Sequence, residues 1–192
     1  GYARSPELVI NFYNERRKQL LEVRPNDGHL GLAELEADFN VTVVTQNIDN
    51  LHERAGSRRI IHLHGELTKV CSSRDPYNPH YIKELKPDEY EVKFGDKAGD
   101  GTQLRPFIVW FGEPVPEIET AVNYVEKADI FVIIGTSMNV YPAAGLLNYV
   151  PREAEVYLID PKPVDVHSMR RIHVIQKGAS EGVRELRSLL QP

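Results

Sequence analysis

Apolar residues recur along the chain with two periods, one typical of strands and one typical of helices. Short runs rich in Val and Ile predict strands at 41–45, 59–64, 107–111, 130–135, 155–160 and 172–176. Helical patterns lie between them at 48–55, 116–127, 142–149 and 180–190. Because strands that alternate with helices pair in parallel through crossovers, the pattern predicts an α/β fold with a doubly wound parallel sheet.

Two further helices are predicted before the first strand. Ser5-Pro6 is a helix start, with a hydroxyl cap followed by proline at the first helical position, and Pro25 is expected to stop this helix. A second helix is predicted from about 29 to 37, with Asn26 or Asp27 as its cap.

Residues 66–105 interrupt this alternation. They are rich in Pro, Asp, Lys, Tyr and Gly and show little periodicity. The sequence therefore predicts a small inserted module at 66–105 within an α/β domain formed by 1–65 and 106–192.

Composition excludes several classes of function. The net charge of −5 and the pI near 5.8 argue against a general nucleic-acid-binding surface. The sequence contains no apolar run long enough to span a membrane and no signal peptide at its start. The single cysteine cannot form an internal disulfide, which together with these absences favours a cytoplasmic protein.

Polar side chains cluster where two predicted strands end. Gln46, Asn47 and Asp49 follow the first strand, and His62 and His64 close the second. Ligands bind at the carboxyl ends of strands in such sheets. From the residues alone, Asn47 or Asp49 can equally be a helix cap. His62 and His64 share one face of a strand, so either can be a proton acceptor or a hydrogen-bonded structural histidine.

Four segments carry a family resemblance: TQNIDNLHERAGSRRIIHLHG (45–65), RPFIVWFGE (105–113), IIGTSMNVYPAAGL (133–146) and KGASEGV (177–183). In this order they resemble the sirtuins, which are NAD-dependent protein lysine deacylases with a Rossmann-like domain. The resemblance implies NAD as cofactor and acylated lysine-containing proteins or peptides as substrates. The implied products are nicotinamide and O-acyl-ADP-ribose.

The resemblance also assigns residues to roles. It implies that His64, which precedes Gly65, is the catalytic base, assisted by Asn47 and Asp49. It implies contacts to NAD from Gln46, Asn47, Ile48, Asp49, Gly135, Thr136, Ser137, Asp160, Pro161, Lys162 and Ala179. It implies contacts to the acyl-lysine substrate from Phe111, Gly112, Glu113, Val140 and Tyr141.

Tyr13 and Arg16 suggest which acyl group is removed. They lie three residues apart on the first predicted helix and hence on one face. In sirtuins selective for acidic acyl groups, a Tyr-x-x-Arg pair in this helix binds the carboxylate of succinyl- or malonyl-lysine. The alternative is a surface arginine beside a tyrosine that packs at the edge of the core.

The sequence departs from the sirtuin pattern in two places. The inserted module has one cysteine, Cys71, where a tetrahedral zinc site needs four ligands, so we expect no metal. The only G-x-G, at 99–101, lies inside the insert, so the chain resembles a sirtuin without its N-terminal Gly-rich strand–loop–helix. The missing loop favours one alternative to the deacylase, a non-catalytic binding domain. A second alternative keeps the NAD site but transfers ADP-ribose to protein, and the sequence leaves the oligomeric state open.

Overall fold

The structure is a computed structural model that describes residues 4–135, 143–164 and 170–191. Its α-helices are α1 (Pro6–Leu20), α2 (Asp27–Glu34), α3 (Leu51–Ala55), α4 (Ile118–Val125) and α5 (Ala179–Leu190). Its strands are β1 (Val43–Thr45), β2 (Ile60–His62), β3 (Gly65–Ser72), β4 (Lys83–Glu84), β5 (Leu104–Ile108), β6 (Ile130–Ile134), β7 (Glu155–Ile159) and β8 (Ile172–Ile175). Short 3-10 helices occupy Leu35–Ala37, Pro79–Tyr81, Pro87–Glu89 and Ala143–Tyr149. None of the helices in the described ranges has the length and apolar character needed to cross a membrane.

The chain forms two compact units. The first contains Gly1–Arg24, Thr45–Asn50 and His62–Pro116, and the second contains Pro25–Val44, Leu51–Ile61 and Glu117–Pro192. Residues 66–105 lie within the first unit, together with α1. The separate inserted module stays a prediction.

The second unit contains the parallel sheet that the strand–helix alternation predicts. β6, β7 and β8 pair in parallel in that order, with Ile130 opposite Glu155 and Val156 opposite Ile172. Helix α5 packs closely on this sheet, since a Cβ at Gly182 would lie 2.2 Å from a methyl carbon of Ile159. The buried core of the unit consists of Leu35, Tyr157, Ile159, Ile175, Val183 and Leu186. The predicted α/β class is confirmed.

Strands β1 and β2 form a separate two-stranded sheet. The Val43 amide donates to the Arg59 carbonyl, and the Leu63 amide donates to the Thr45 carbonyl. Both strands advance in the same direction along these bonds, so they are parallel. The polar residues after β1 and after β2 are therefore brought to the same end of this pair.

The first unit is built on an antiparallel sheet that the sequence analysis missed. β3 pairs with β4 on one side and β5 on the other. The expectation of an aperiodic segment from residue 66 is wrong for β3, and β5 begins at Leu104 rather than at 107. The register of β3 against β5 shifts between Glu66 and Val70, and this bulge breaks the alternation by which a strand is recognised. The core of the sheet contains Ile10, Val70, Val92, Ala98 and Leu104.

The two N-terminal helices begin close to where the sequence places them. α1 has Pro6 in its first turn, as predicted, although the Ser5 side chain makes no capping hydrogen bond. It ends at Leu20, so Pro25 does not terminate it. Asn26 caps α2, accepting from the His29 amide at 3.0 Å while His29 Nδ1 accepts from the Asn26 amide at 3.0 Å.

Candidate functional site

His64 lies in the tight connection between β2 and β3. Its Nε2 is 3.4 Å from Oε1 of Gln46, and its carbonyl accepts from the Val109 amide at 2.8 Å. The imidazole is half-buried, and burial lowers the pKa of His64 below its ordinary value of 6.5. The structure therefore holds a neutral imidazole beside Gln46 at neutral pH, as a general base requires.

Gly65 makes the position of His64 possible. Its φ is +89°, and a Cβ there would lie 2.1 Å from the Phe107 carbonyl oxygen. In the structure, the backbone of β5 makes the close approach.

His62 occupies a different environment from His64. β2 ends at His62, so the expectation that both histidines lie in one strand and share its face is wrong. His62 is buried, with Nδ1 3.2 Å from the Asn47 carbonyl oxygen and Nε2 3.8 Å from the Glu66 carboxylate. These contacts give His62 a structural role at the turn that follows β1.

The turn after β1 carries four of the residues that are predicted to contact NAD. The Asn47 amide donates to Thr45 Oγ1 at 3.0 Å, and the Ile48 carbonyl accepts from the Leu67 amide at 2.8 Å. The turn is thus fixed through its backbone, which leaves the Asn47 side chain exposed. α3 begins at Leu51, which places Asn47 too early in the chain to be its N-cap. The predicted contacts of Gln46, Asn47, Ile48 and Asp49 to NAD stay predictions.

The two adjacent arginines of α1 have opposite environments. Arg17 is 3% exposed, and its guanidinium donates to the Leu67 carbonyl at 2.8 Å, the Asn14 Oδ1 at 2.8 Å and the Tyr90 carbonyl at 3.3 Å. Burial lowers its pKa to about 10, so it stays protonated at neutral pH. Arg16 is exposed, 5.9 Å from the centre of the Phe12 ring, and has no ion-pair partner among the described residues.

Tyr13 is held by two aromatic neighbours. Its hydroxyl oxygen accepts from the indole Nε1 of Trp110 at 3.2 Å. Its ring meets the Phe12 ring edge-on, with centroids 5.2 Å apart and planes at 86°. Phe12 thus contacts both Tyr13 and Arg16, the two residues predicted to bind the acyl carboxylate.

The segment after β5 is shaped by an ion pair between Arg105 and Glu113. Two guanidinium nitrogens of Arg105 lie 3.0 Å from the two carboxylate oxygens of Glu113, and the Trp110 amide donates to the same carboxylate at 2.7 Å. Although burial raises the pKa of Glu113, hydrogen bonds from Arg105 and the Trp110 amide hold it below its ordinary value. The carboxylate therefore holds the turn, while Phe111 is fully exposed. The predicted substrate contacts of Phe111, Gly112 and Glu113 stay predictions.

The residues of the second unit that are predicted to contact NAD follow its three parallel strands. Gly135 follows β6, Asp160-Pro161-Lys162 follows β7, and Ala179 opens α5 after β8. Asp160 Oδ1 accepts from the Lys162 amide at 2.9 Å, and the Gly135 amide donates to the Ile159 carbonyl at 3.0 Å. All of them lie at the carboxyl edge of the sheet, where ligands bind in doubly wound folds. Thr136, Ser137, Val140 and Tyr141 lie outside the described residues.

Cys71 lies inside the first unit rather than at its surface. It is completely buried, its thiol lies 3.7 Å from the Pro106 carbonyl oxygen, and burial raises its pKa to about 11. A protonated, buried thiol is a poor metal ligand because zinc binds the thiolate. The absence of zinc stays a prediction.

Three residues that shape this region were not predicted from the sequence: Arg17, Arg105 and Trp110. A signal existed for Arg17, because it lies seven residues after Ile10 and three before Leu20, on the buried stripe of α1. Trp110 contacts Tyr13 across 97 positions of sequence, which no local pattern indicates.

The sequence is similar to that of a known protein family and of its curated members. The sequence matches the Sir2 family over residues 2–142. The NAD-dependent protein deacylase of Bacteroides thetaiotaomicron is 83% identical over 192 residues, which is 100% of this chain and 82% of that protein. The NAD-dependent protein deacylase of Helicobacter pylori strain 26695 is 47% identical over 186 residues, covering 97% of this chain and 79% of that protein.

Solved structures are similar over the same extent. A Sir2 homologue in complex with NAD matches 99% of this chain and 75% of its own, with a TM-score of 0.80 and 34% identity. A complex of Sir2 with a p53 peptide and NAD+ matches 98% of this chain and 79% of its own, with a TM-score of 0.77 and 27% identity.

Proposed function

Because this chain belongs to the Sir2 family, we propose that it is an NAD-dependent protein deacylase that prefers lysines carrying an acidic acyl group. Succinyl and malonyl groups end in a carboxylate, whereas an acetyl group does not. Selectivity for them therefore needs a cation that the fold does not already use. The proposal rests on the contrast between the two adjacent arginines of α1.

The guanidinium of Arg17 already has partners within the protein, since it is buried and donates to three oxygen atoms. Arg16 is exposed and has no ion-pair partner among residues 4–135, 143–164 and 170–191. A guanidinium can bind a carboxylate through two parallel hydrogen bonds. Arg16 is thus the member of the pair that remains available to an acyl carboxylate.

Tyr13 adds a second donor on the same face of α1. Because Trp110 can only donate, the bond between them uses a lone pair of the Tyr13 oxygen and leaves its proton available. That proton can be donated to an acyl carboxylate beside the Arg16 guanidinium. The pair then offers both charge and a directed hydrogen bond to the acyl terminus.

His64 is the proposed general base. When bound, NAD supplies the ribose carbon that the acyl oxygen attacks and the ribose hydroxyl that loses a proton. A neutral imidazole beside the Gln46 amide has one ring nitrogen that carries the proton and one whose lone pair can accept. The lowered pKa of His64 favours this neutral form at pH 7. Phe111, exposed after β5, lies on the segment along which the peptide backbone would add as an extended strand.

The test is the ratio of desuccinylation to deacetylation on one peptide that carries either acyl group. Arg16→Met should lower this ratio about tenfold or more, because the acyl carboxylate keeps its desolvation cost and loses its charged partner. Lys18→Met is the matched control, since it removes one exposed positive charge from the same helix. It should leave the ratio unchanged.

Product analysis in the same assay decides the reaction type. Deacylation yields free lysine, nicotinamide and O-acyl-ADP-ribose. Label from the adenosine part of NAD that stays on protein would instead indicate ADP-ribosyl transfer. An unchanged ratio in Arg16→Met would refute the acidic-acyl preference and leave the deacylase assignment in place.

A further inference from the structure

The first unit surrounds the Tyr13 hydroxyl with a chain of contacts that begins at the ion pair between the buried Arg105 and the half-buried Glu113. Arg105 is 5% exposed and donates to both carboxylate oxygens of Glu113 at 3.0 Å and to the Ile108 carbonyl at 2.8 Å. The guanidinium carbon of Arg105 lies 3.9 Å from the centre of the Trp110 ring. A cation at this distance over an aromatic face is attracted to it.

Trp110 is therefore fixed at both its backbone and its ring. Its amide donates to Glu113 at 2.7 Å, and its ring lies over the Arg105 guanidinium. The indole N–H then has one direction, and it is directed at the Tyr13 hydroxyl oxygen, 3.2 Å away. An indole N–H has no acceptor capacity, so the sense of this hydrogen bond is unambiguous.

We propose that Trp110 is a positioning residue for acyl recognition, which orients the Tyr13 O–H toward the carboxylate of the bound acyl group. This inference rests on the proposed function. The Trp110 bond occupies one lone pair of the phenol oxygen and so restricts where the proton of Tyr13 can point. Pre-orientation removes the cost of ordering that hydroxyl when the substrate binds. The ion pair of Arg105 and Glu113 acts one step further away, by holding the indole.

The geometry predicts a dependence that a general packing role would not produce. If Trp110 acts through the Tyr13 hydroxyl, its N–H matters only while that hydroxyl is present and only for acyl groups that end in a carboxylate. A tryptophan that merely fills space would affect both acyl groups alike. It would also matter equally with and without the hydroxyl.

The experiment is a double-mutant cycle on Trp110→Phe and Tyr13→Phe. Both substitutions keep an aromatic ring and remove one polar group. The measured quantity is the ratio of kcat/KM for succinylated over acetylated forms of one peptide. Trp110→Phe alone should lower this ratio by about two- to tenfold, the range typical of one hydrogen bond. The loss should appear in KM, because the contact is made in the bound ground state as well as in the transition state.

In the Tyr13→Phe background, Trp110→Phe should lower the ratio no further. Tyr124→Phe, which removes a phenol hydroxyl from α4, is the control for Tyr13→Phe and should leave the ratio unchanged. An equal loss from Trp110→Phe in both backgrounds, or no change in the ratio from Trp110→Phe alone, would overturn the inference.

Arg16→Met in the same assay separates this inference from the proposed function. A lowered ratio in Arg16→Met without coupling between Trp110 and Tyr13 keeps the acidic-acyl preference and rejects the positioning role. An unchanged ratio in Arg16→Met rejects both.

Should Trp110→Phe fail to fold, the wild-type protein provides a second readout, since Trp110 is the only tryptophan. Titration with the succinylated peptide should change its fluorescence more than the acetylated peptide does. Tyr13→Phe should reduce that difference. An equal response to both peptides in the wild-type protein would count against the inference.

Discussion

Replacing His64 with alanine should remove the base without disturbing the fold, since its imidazole is half-buried and, among the residues that the structure describes, has a hydrogen-bond contact with Gln46 alone. A positioned general base contributes about 10² to 10⁴ in rate. This corresponds to about 2.7–5.5 kcal/mol in the activation free energy. We therefore expect kcat for His64→Ala to fall by at least about 100-fold, with the melting temperature close to that of the wild type.

The dependence of kcat/KM on pH tests the role of His64 independently. Burial lowers the pKa of His64 below 6.5, so more than about three-quarters of the imidazole is neutral at pH 7. The neutral form is the active one, so kcat/KM should rise with pH and level off, with a midpoint below 6.5. Gln46→Glu places a carboxylate beside Nε2, which favours the protonated imidazole and should move this limb to higher pH. Gln46→Leu adds no charge and controls for loss of the amide.

Nicotinamide release from an acetylated peptide between pH 5 and 9 measures both effects. His62→Ala is the matched control, because His62 is buried and lies 3.2 Å from the Asn47 carbonyl oxygen. His62→Ala should lower the free energy of unfolding by about 1–3 kcal/mol, because the Asn47 carbonyl loses its partner. Its catalytic activity should be retained. An inactive His62→Ala beside an active His64→Ala would reverse our assignment of the two histidines. If Gln46→Glu does not shift the rise of kcat/KM with pH, the group that titrates is not His64.

Three further outcomes follow from the first unit. Arg17→Met should lower the unfolding free energy by at least about 2 kcal/mol in chemical denaturation, because it leaves the Leu67 carbonyl without its buried donor; Lys18→Met should have little effect. Elemental analysis should find no stoichiometric zinc. Since the pKa of Cys71 is raised to about 11, only about one thiol in a thousand is ionised at pH 8, and iodoacetamide should label Cys71 slowly until the protein is unfolded. Stoichiometric zinc, or labelling as fast in the native as in the unfolded protein, would contradict this description of the thiol.

The strands predicted best from the sequence are those whose residues are nearly all apolar. β6, β7 and β8 are nearly continuous apolar runs, and their predicted bounds agree with the structure to within one residue. β3 was missed because Glu66, Thr68 and Lys69 face the half-exposed side of a bulged strand. Because the register shifts at this bulge, polar and apolar residues do not alternate strictly along β3.

In the candidate site, too, local motifs were predicted from the sequence and contacts between distant residues were not. His64 was selected by a motif, yet the strand drawn through it was wrong, because the buried Leu63 continues the apolar run into a turn. The arrangement of Arg105, Trp110 and Tyr13 depends on packing between α1 and the segment after β5. Periodicity reports which face of an element is buried, but it does not report what that face meets.

The hydrogen bonds of Arg17 determine which substitutions this part of the protein can accept. Among the described residues outside its own helix, Arg17 binds only main-chain carbonyls, those of Leu67 and Tyr90, and every amino acid carries such a carbonyl. Substitutions at 67 and 90 that suit their surroundings therefore keep the acceptors of Arg17, while position 17 itself has no equivalent replacement. A library that randomises Phe12, Tyr13 and Arg16 to change acyl selectivity therefore leaves intact the hydrogen bonds that Arg17 makes to the Leu67 and Tyr90 carbonyls. Arg17 is the residue of α1 that such a library should hold constant.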